Sequence, residues 1–341
     1  MSGQPEMLFD LIVIGGGSGG IASANRAASY GARVALIEFK KLGGTCVNLG
    51  CVPKKIMWCA ASLADAFHDA PSYGFTGIAK PSLDWKLLKS KRDAFISRLN
   101  GIYQGNLQKN GVEVFNGWGK LLGSNRVAVT PANGSNPSIL EGKNILIATG
   151  SEGILPASIP GHDLGGTSDS FFALEAQPKL VAIVGAGYVG VELAGVLNAL
   201  GSHVTMFTRK CGVLTHFDPM IQAAATEHLA SSGVEMLCET SIEKIEKNDG
   251  GLSIEFTHRG QLKILSGFDS LIWAIGRAPL VSNLGLDACG VTLDARGAIP
   301  VDEYQNVIGT SENLLAVGDV TGVHMLTPVA IAAGRKLAGI I

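Results

Sequence analysis

A short apolar run that ends in glycines and opens an alanine-rich stretch most constrains the fold of this 341-residue chain. Leu11-Ile12-Val13-Ile14 reads as a buried strand, and Gly15-Gly16-Gly17-Ser18-Gly19-Gly20 follows it directly. A helix is expected over Ile21–Tyr30, Gly31 stops it, and Arg33–Glu38 is the next strand. Glycines at this spacing permit a tight turn and close approach of a pyrophosphate, which the helix N-terminus attracts. Glu38 lies 23 residues after Gly15 and can accept hydrogen bonds from a ribose. The fingerprint alone is weak, but here the strand, helix and acid that give it meaning are all present.

The pattern recurs. Val181–Val184 leads into Gly185-Ala186-Gly187-Tyr188-Val189-Gly190, then a helix over Val191–Leu200, Gly201, and a strand over His203–Phe207. The position matching Glu38 is Thr208, followed by Arg209 and Lys210. An acid there repels a 2′-phosphate, whereas two cations bind one. The first site therefore suits FAD or NAD and the second favours NADPH; the competing reading of Arg209 and Lys210 is a solvated turn. Asn144–Gly150 and Ser270–Arg277 each read as a buried strand ending at glycine, at Gly150 and Gly276, and mark crossings between nucleotide domains. Leu314–Asp319 is a third such strand, whose Asp319 could bind a sugar hydroxyl. Pro156, Pro160 and Gly161 suggest the linker. The expectation is an α/β chain of two Rossmann-like domains, with residues 156–279 inserted between 1–155 and 280–341 of the first.

Two thiols five residues apart, Cys46 and Cys51, stand between the first fold and an amphipathic run. A regular helix holds such residues too far apart for a good disulfide, so pairing requires a bent or bulged helix start. Lys54 and a helix N-terminus would favour the thiolate. The motif reads as a redox-active disulfide. Cys59, Cys211, Cys238 and Cys289 are scattered and read as buried or incidental thiols, with a reducing compartment, the cytoplasm, as the default. A net charge of -2 gives no footprint for nucleic acid or anionic membrane. No run reaches the roughly 18 apolar residues of a membrane helix, Met1–Phe9 lacks the pattern of a secretory signal, and no His/Cys spacing suggests a metal site.

Both fingerprints, the Cys46–Lys55 motif, the two glycine-ended strands and Gly318-Asp319 occur in the order found in flavin disulfide reductases. The chain resembles that family from about Asp10 onward, its glutathione-reducing members most closely, and Cys-Val-Asn-Leu-Gly-Cys-Val-Pro-Lys-Lys carries much of the likeness. The resemblance implies FAD held by Gly15, Gly17, Ser18, Gly19, Gly20, Glu38, Thr45, Cys46, Lys54, Gly119, Thr149, Gly150, Asp319 and Thr327. It implies NADPH held by Gly185, Gly187, Tyr188, Val189, Glu192, Arg209, Lys210 and Gly276. Hydride passes from NADPH to the flavin and electrons onward to Cys46–Cys51. Cys46 is then the thiol that attacks glutathione disulfide, Cys51 faces the flavin, Tyr188 is a lid on the nicotinamide side, and Lys54 pairs with Glu192.

Ala22, Asn25, Ile102, Tyr103, Asn106 and Arg335 match substrate-lining positions, although helix packing competes as the reading of Ile102. Gly190 stands where alanine is common and Thr215 where a second arginine is usual, so the NADPH preference is expected to be reduced. The family's acid–base histidine belongs to a His-Pro segment of a C-terminal interface domain and serves the partner subunit of a homodimer. None of the seven histidines at 68, 162, 203, 216, 228, 258 and 324 precedes proline. The chain is therefore expected to be a shortened form with impaired turnover. Two other readings stay open: a thioredoxin- or lipoamide-type reductase, and a non-catalytic flavoprotein.

Overall fold

The computed structural model describes residues 7–77, 82–310, 313–339 and 341. The amino-terminal stretch read for a signal lies outside them up to residue 6, as does Ile340. By contact the chain forms two compact units: residues up to Asn48 with Phe95–Glu152 and from Ala278 onward, and Leu49–Ala94 with Gly153–Arg277.

Along the chain come β1 (Met7–Ile14), α1 (Ser18–Ser29), β2 (Val34–Glu38), α2 (Gly44–Leu49), α3 (Cys51–Asp69) and α4 (Trp85–Lys109). Then follow β3 (Glu113–Asn116), β4 (Trp118–Gly123), β5 (Arg126–Thr130) and β6 (Ser138–Ile147). The first unit is built on a sheet of order β3-β2-β1-β6-β5-β4. Strands β1, β2, β3 and β6 run parallel, with Ile14 level with Ile37 and Ile147. Alternation along β1 separates the two faces. Leu11 and Val13 join Ile21, Ala24 and Leu107 under α1 and the end of α4, whereas Ile12 and Ile14 join Val127, Ile145 and Ile299 opposite. Burial on both faces explains why the strand reads as an unbroken apolar run.

After β7 (Ser151–Gly153), at the boundary, the second unit has β8 (Gly166–Thr167), α5 (Ser168–Phe171), β9 (Leu180–Val184), α6 (Tyr188–Ala199), β10 (His203–Phe207), α7 (Pro219–Ser231) and β11 (Glu235–Leu237). A three-stranded antiparallel sheet of β12 (Thr240–Asn248), β13 (Gly251–His258) and β14 (Gln261–Phe268) precedes β15 (Ser270–Trp273). The parallel sheet has the order β11-β10-β9-β15-β8. Alternation divides it too: Val181 and Ile183 face Leu193, Leu197 and Leu229, while Ala182 faces Ile254 and Phe256 of the antiparallel sheet. That same helical face takes in Met57, Ala61 and Trp85, which is why residues 49–94 group with 153–277. After β16 (Arg277–Pro279) the chain returns through β17 (Leu314–Ala316), paired to β6, and ends in α8 (Thr327–Leu337).

The repeat read from the sequence holds at the level of single atoms. Gly15 N–H donates to Ile37 O at 2.8 Å, and Gly185 N–H to Phe207 O at 3.0 Å. Gly15 has φ +112° and Gly185 φ +126°, and a Cβ on either would collide with the carbonyl oxygen of Ala148 or Ala274. The third glycines differ. A Cβ on Gly20 would collide deeply with the Gly15 carbonyl oxygen, and one on Gly190 would overlap that of Gly185 less deeply, at 2.7 Å.

Alanine gains about 1 kcal/mol of helix propensity over glycine. Against this, overpacking costs about 1–3 kcal/mol where neighbours can move, and more where they cannot. Gly190→Ala is expected to change stability by no more than about 1–2 kcal/mol, and Gly20→Ala to lose about 3 kcal/mol or more. Calorimetric melting of the two variants checks this, and equal losses would contradict the assigned difference in fit.

Candidate functional site

Helix α1 begins at Gly17, which offers no side-chain cap, and no acid occupies the first turn. The first N–H groups of such a helix point out from the turn, where the open position at Gly17 leaves room for a ligand. The Glu38 carboxylate, only 9% exposed, sets this turn: Oε2 accepts from Gly16 N–H and Oε1 from Lys40 N–H, both at 2.7 Å. A carboxylate has about four acceptor directions, so two remain for hydroxyl groups. Gly16 O accepts from Gly43 N–H and fixes the approach to α2, which carries Thr45 and Cys46. Gly119 lies against Ile14 on β4. Thr149 Oγ1 donates to Leu280 O at 2.7 Å, and Gly150, at φ +75°, accepts from Leu280 N–H. Asp319 Oδ2 accepts from Ser151 Oγ at 2.7 Å. A cavity of about 330 Å³ opens beside Gly318, between Asp302, His324 and Ala330. Thr327 is the first residue of α8.

The second turn repeats the first with different chemistry. Gly187 is the uncapped N-cap of α6, Tyr188 its first residue (52% exposed) and Val189 the next. Gly276 has φ +135°. Where β2 ends in a buried acid, β10 is followed by buried Thr208 and then by Arg209 and Lys210, both exposed. Thr208 N–H donates to Leu237 O at 2.9 Å, and Thr208 Oγ1 to Lys210 O at 2.8 Å. Farther on, Leu214 N–H donates to Ala186 O at 2.8 Å, so this loop is bonded to the glycine turn itself. Thr215 and His216 are exposed.

Between Cys46 and Cys51 the helix is broken. Helix α2 ends at Leu49, Gly50 has φ −149° and ψ −111°, and α3 starts at Cys51. This is the local distortion that the five-residue spacing requires of a bonded pair. Cys46 is half-buried and Cys51 exposed. One turn into α3, Lys54 Nζ lies 2.7 Å from Glu192 Oε1, with side chains 27% and 42% exposed. A pair this open contributes about 0–1 kcal/mol to stability, so its consequence is a fixed ammonium rather than a firmer fold.

The structure gathers the substrate-matching positions on the helical face of the first unit. Ala22 and Asn25 lie on α1, Ile102, Tyr103 and Asn106 on α4, and Arg335 on α8. Tyr103 of α4 and Ala333 of α8 both pack against the buried cluster that contains Ile21 and Ala24 of α1. Ile102 is 45% exposed and Asn106 and Arg335 are exposed, whereas Asn25 Oδ1 accepts from Asn110 Nδ2 at 2.7 Å.

The pyridine nucleotide-disulphide oxidoreductase family matches residues 9–334. The chain belongs to that family. It is 48% identical over 338 residues to a glutathione reductase of Yarrowia lipolytica, with 97% of this chain and 71% of that protein covered. Glutathione reductases of Debaryomyces hansenii and Schizosaccharomyces pombe are 46% and 47% identical with the same coverage.

Two features of this oxidoreductase were missed in the sequence. Cys211 and Cys238, read there as buried or incidental thiols, form a disulfide. They are 27 residues apart, on either side of α7, and become neighbours only because β10 and β11 pair in parallel. Ser151, the partner of Asp319, directly follows Gly150 at the end of the first of the two glycine-ended strands and carries no motif of its own. Among the described residues no helix is long and apolar enough to cross a membrane, and no cluster of metal ligands occurs.

Glu38→Gln replaces one acceptor by an amide that faces a backbone donor. A charged hydrogen bond contributes about 1.5–3 kcal/mol, so a loss of about 2 kcal/mol in melting stability is expected. Unchanged stability would show that the carboxylate does not set the turn.

Proposed function

We propose that the protein carries electrons from NADPH through FAD to glutathione disulfide and so contributes to thiol redox balance. One observation carries the cofactor part of this reading: the same turn is built twice, with a carboxylate at the end of the second strand in one copy and two exposed cations in the other. The carboxylate of Glu38 accepts from ribose hydroxyls and repels a 2′-phosphate, while Arg209 and Lys210 attract one. The open space at Gly17 and at Gly187 fits a pyrophosphate over each uncapped helix start, while Gly15, Gly20 and Gly185 let the backbone pack closely beneath it. FAD, when bound, takes a hydride from NADPH and hands two electrons to a disulfide.

The chain's own residues account for the rest. The Lys54 ammonium, held by Glu192, supplies positive charge beside the dithiol helix. Reduced Cys46 attacks one sulfur of the substrate disulfide as thiolate, forms a mixed disulfide and expels the first glutathione thiolate. Cys51 then attacks the Cys46 sulfur, expels the second, and leaves Cys46–Cys51 oxidised. The substrate gains two electrons and the protein loses two. Arg335 faces a substrate carboxylate and Ile102 and Tyr103 its apolar stems. Asn25, already bonded to Asn110, is the least available of the six positions for a ligand. Tyr188, on the exposed first turn of α6, covers the nicotinamide side until the cofactor enters. We assign the active form to a homodimer and to the reducing cytoplasm.

The test uses the full chain loaded with FAD, without oxygen. NADPH should bleach the flavin absorbance, and glutathione disulfide should restore it with release of two thiols per molecule. Cys46→Ser should keep the bleaching and slow the recovery at least about a hundredfold, the loss expected when a nucleophile is removed. Recovery with thioredoxin or lipoamide but not with glutathione disulfide would overturn the substrate assignment.

A further inference from the structure

The Cys211–Cys238 disulfide lies beside the two cations proposed to recognise the 2′-phosphate. Arg209 and Lys210 form an arch held at both ends. On one side Thr208 is buried and bonded: its N–H donates to Leu237 O, and its carbonyl accepts from Thr240 N–H at 3.0 Å. On the other side Cys211 is tied to Cys238, the residue that directly follows β11. Beyond the bridge, Val213 is fully buried with its N–H on Thr226 Oγ1, and Leu214 N–H donates to Ala186 O in the glycine turn. Cys211 is exposed and Cys238 half-buried, so small thiols and disulfides reach the bridge.

We infer that Cys211 and Cys238 are a second, regulatory dithiol–disulfide couple, which exchanges with glutathione disulfide and sets the affinity for NADPH. The inference rests on the proposed cofactor and substrate assignments. In the reduced chain the Cys211 thiolate attacks glutathione disulfide, forms a mixed disulfide and releases one glutathione. Cys238 then attacks the Cys211 sulfur and releases the second, so the pair is oxidised by two electrons and the small disulfide reduced by two. Reduced glutathione reverses both steps. Opening the bridge moves the nearest tie on that side from Cys211 to Val213, and binding the phosphate must then order more backbone and two long side chains that the bridged form already holds. A rising disulfide level thereby tightens the grip on the reductant needed to remove it.

Dissociation constants for NADPH and NADH are measured on the Cys46→Ser/Cys51→Ser chain, in which the other thiol pair is absent and no turnover is needed. Glutathione buffers of different ratio set the state, and differential alkylation with peptide mass spectrometry reports it at 211 and 238. The bridged form should bind NADPH about three- to tenfold tighter than the opened form, with NADH changed by less than about twofold because it lacks the phosphate. Adding Cys211→Ser/Cys238→Ser should fix NADPH affinity at the weaker value at every ratio. Cys238→Ser alone should trap glutathione on Cys211. Equal NADPH affinity in both states, or a pair that glutathione disulfide does not oxidise, would overturn the inference. Equal affinity for NADPH and NADH in both states would overturn the cofactor assignment beneath it as well.

Discussion

In each unit a carbonyl oxygen occupies the space where the first glycine of the turn would carry a side chain. Ala148 supplies it at Gly15 and Ala274 at Gly185. This contact allows the strand that ends in glycine to lie flush with its neighbour, and the adjoining N–H groups close the register: Ala148 on Ile14 O and Ala274 on Val184 O, both 2.8 Å. With the strands level, the turn opens directly into a helix whose N-cap glycine, Gly17 or Gly187, provides no side-chain cap. The ligand-binding capacity of both units thus follows from a packing constraint on backbone atoms. Side chains enter only at the end of the next strand, where the two copies part in charge.

What the sequence revealed follows from where physics leaves a local mark. The positive φ and close approach at Gly15 and Gly185 admit hardly any residue but glycine, so both turns and their flanking strands could be read directly. The split of β1 into Leu11/Val13 and Ile12/Ile14 faces could not, because a strand buried on both sides is apolar throughout. The β12–β14 sheet alternates in burial, as in Gly251–His258, but carries no motif and went unassigned. Residues 49–94 follow the first turn in sequence and yet pack with the second unit, since Met57 and Trp85 find apolar partners there. Long-range pairs were the main omission. Ser151 with Asp319, and Cys211 with Cys238, meet only through strand pairing.

The same division applies to the chemistry. The break at Gly50 was foreseeable, because two thiols five residues apart cannot pair across a regular helix. The bond of Leu214 to Ala186 was not, yet it links the cation-bearing loop to the turn over which a dinucleotide would lie. A bridge at Cys211 therefore acts on a loop already coupled to its site. Lys54 and Glu192 illustrate how magnitude assigns a role: too open to steady the fold, the pair is better understood as a placed charge.

The central claim is that one frame, used twice, sorts two dinucleotides by the charge that follows its second strand. The most direct measurement is the ratio of NADPH to NADH affinity before and after Arg209→Ala/Lys210→Ala. Charge-assisted contacts to a phosphate contribute about 1.5–3 kcal/mol each, so NADPH should weaken at least tenfold while NADH stays within about twofold. Equal weakening of both, or none of either, would contradict the account.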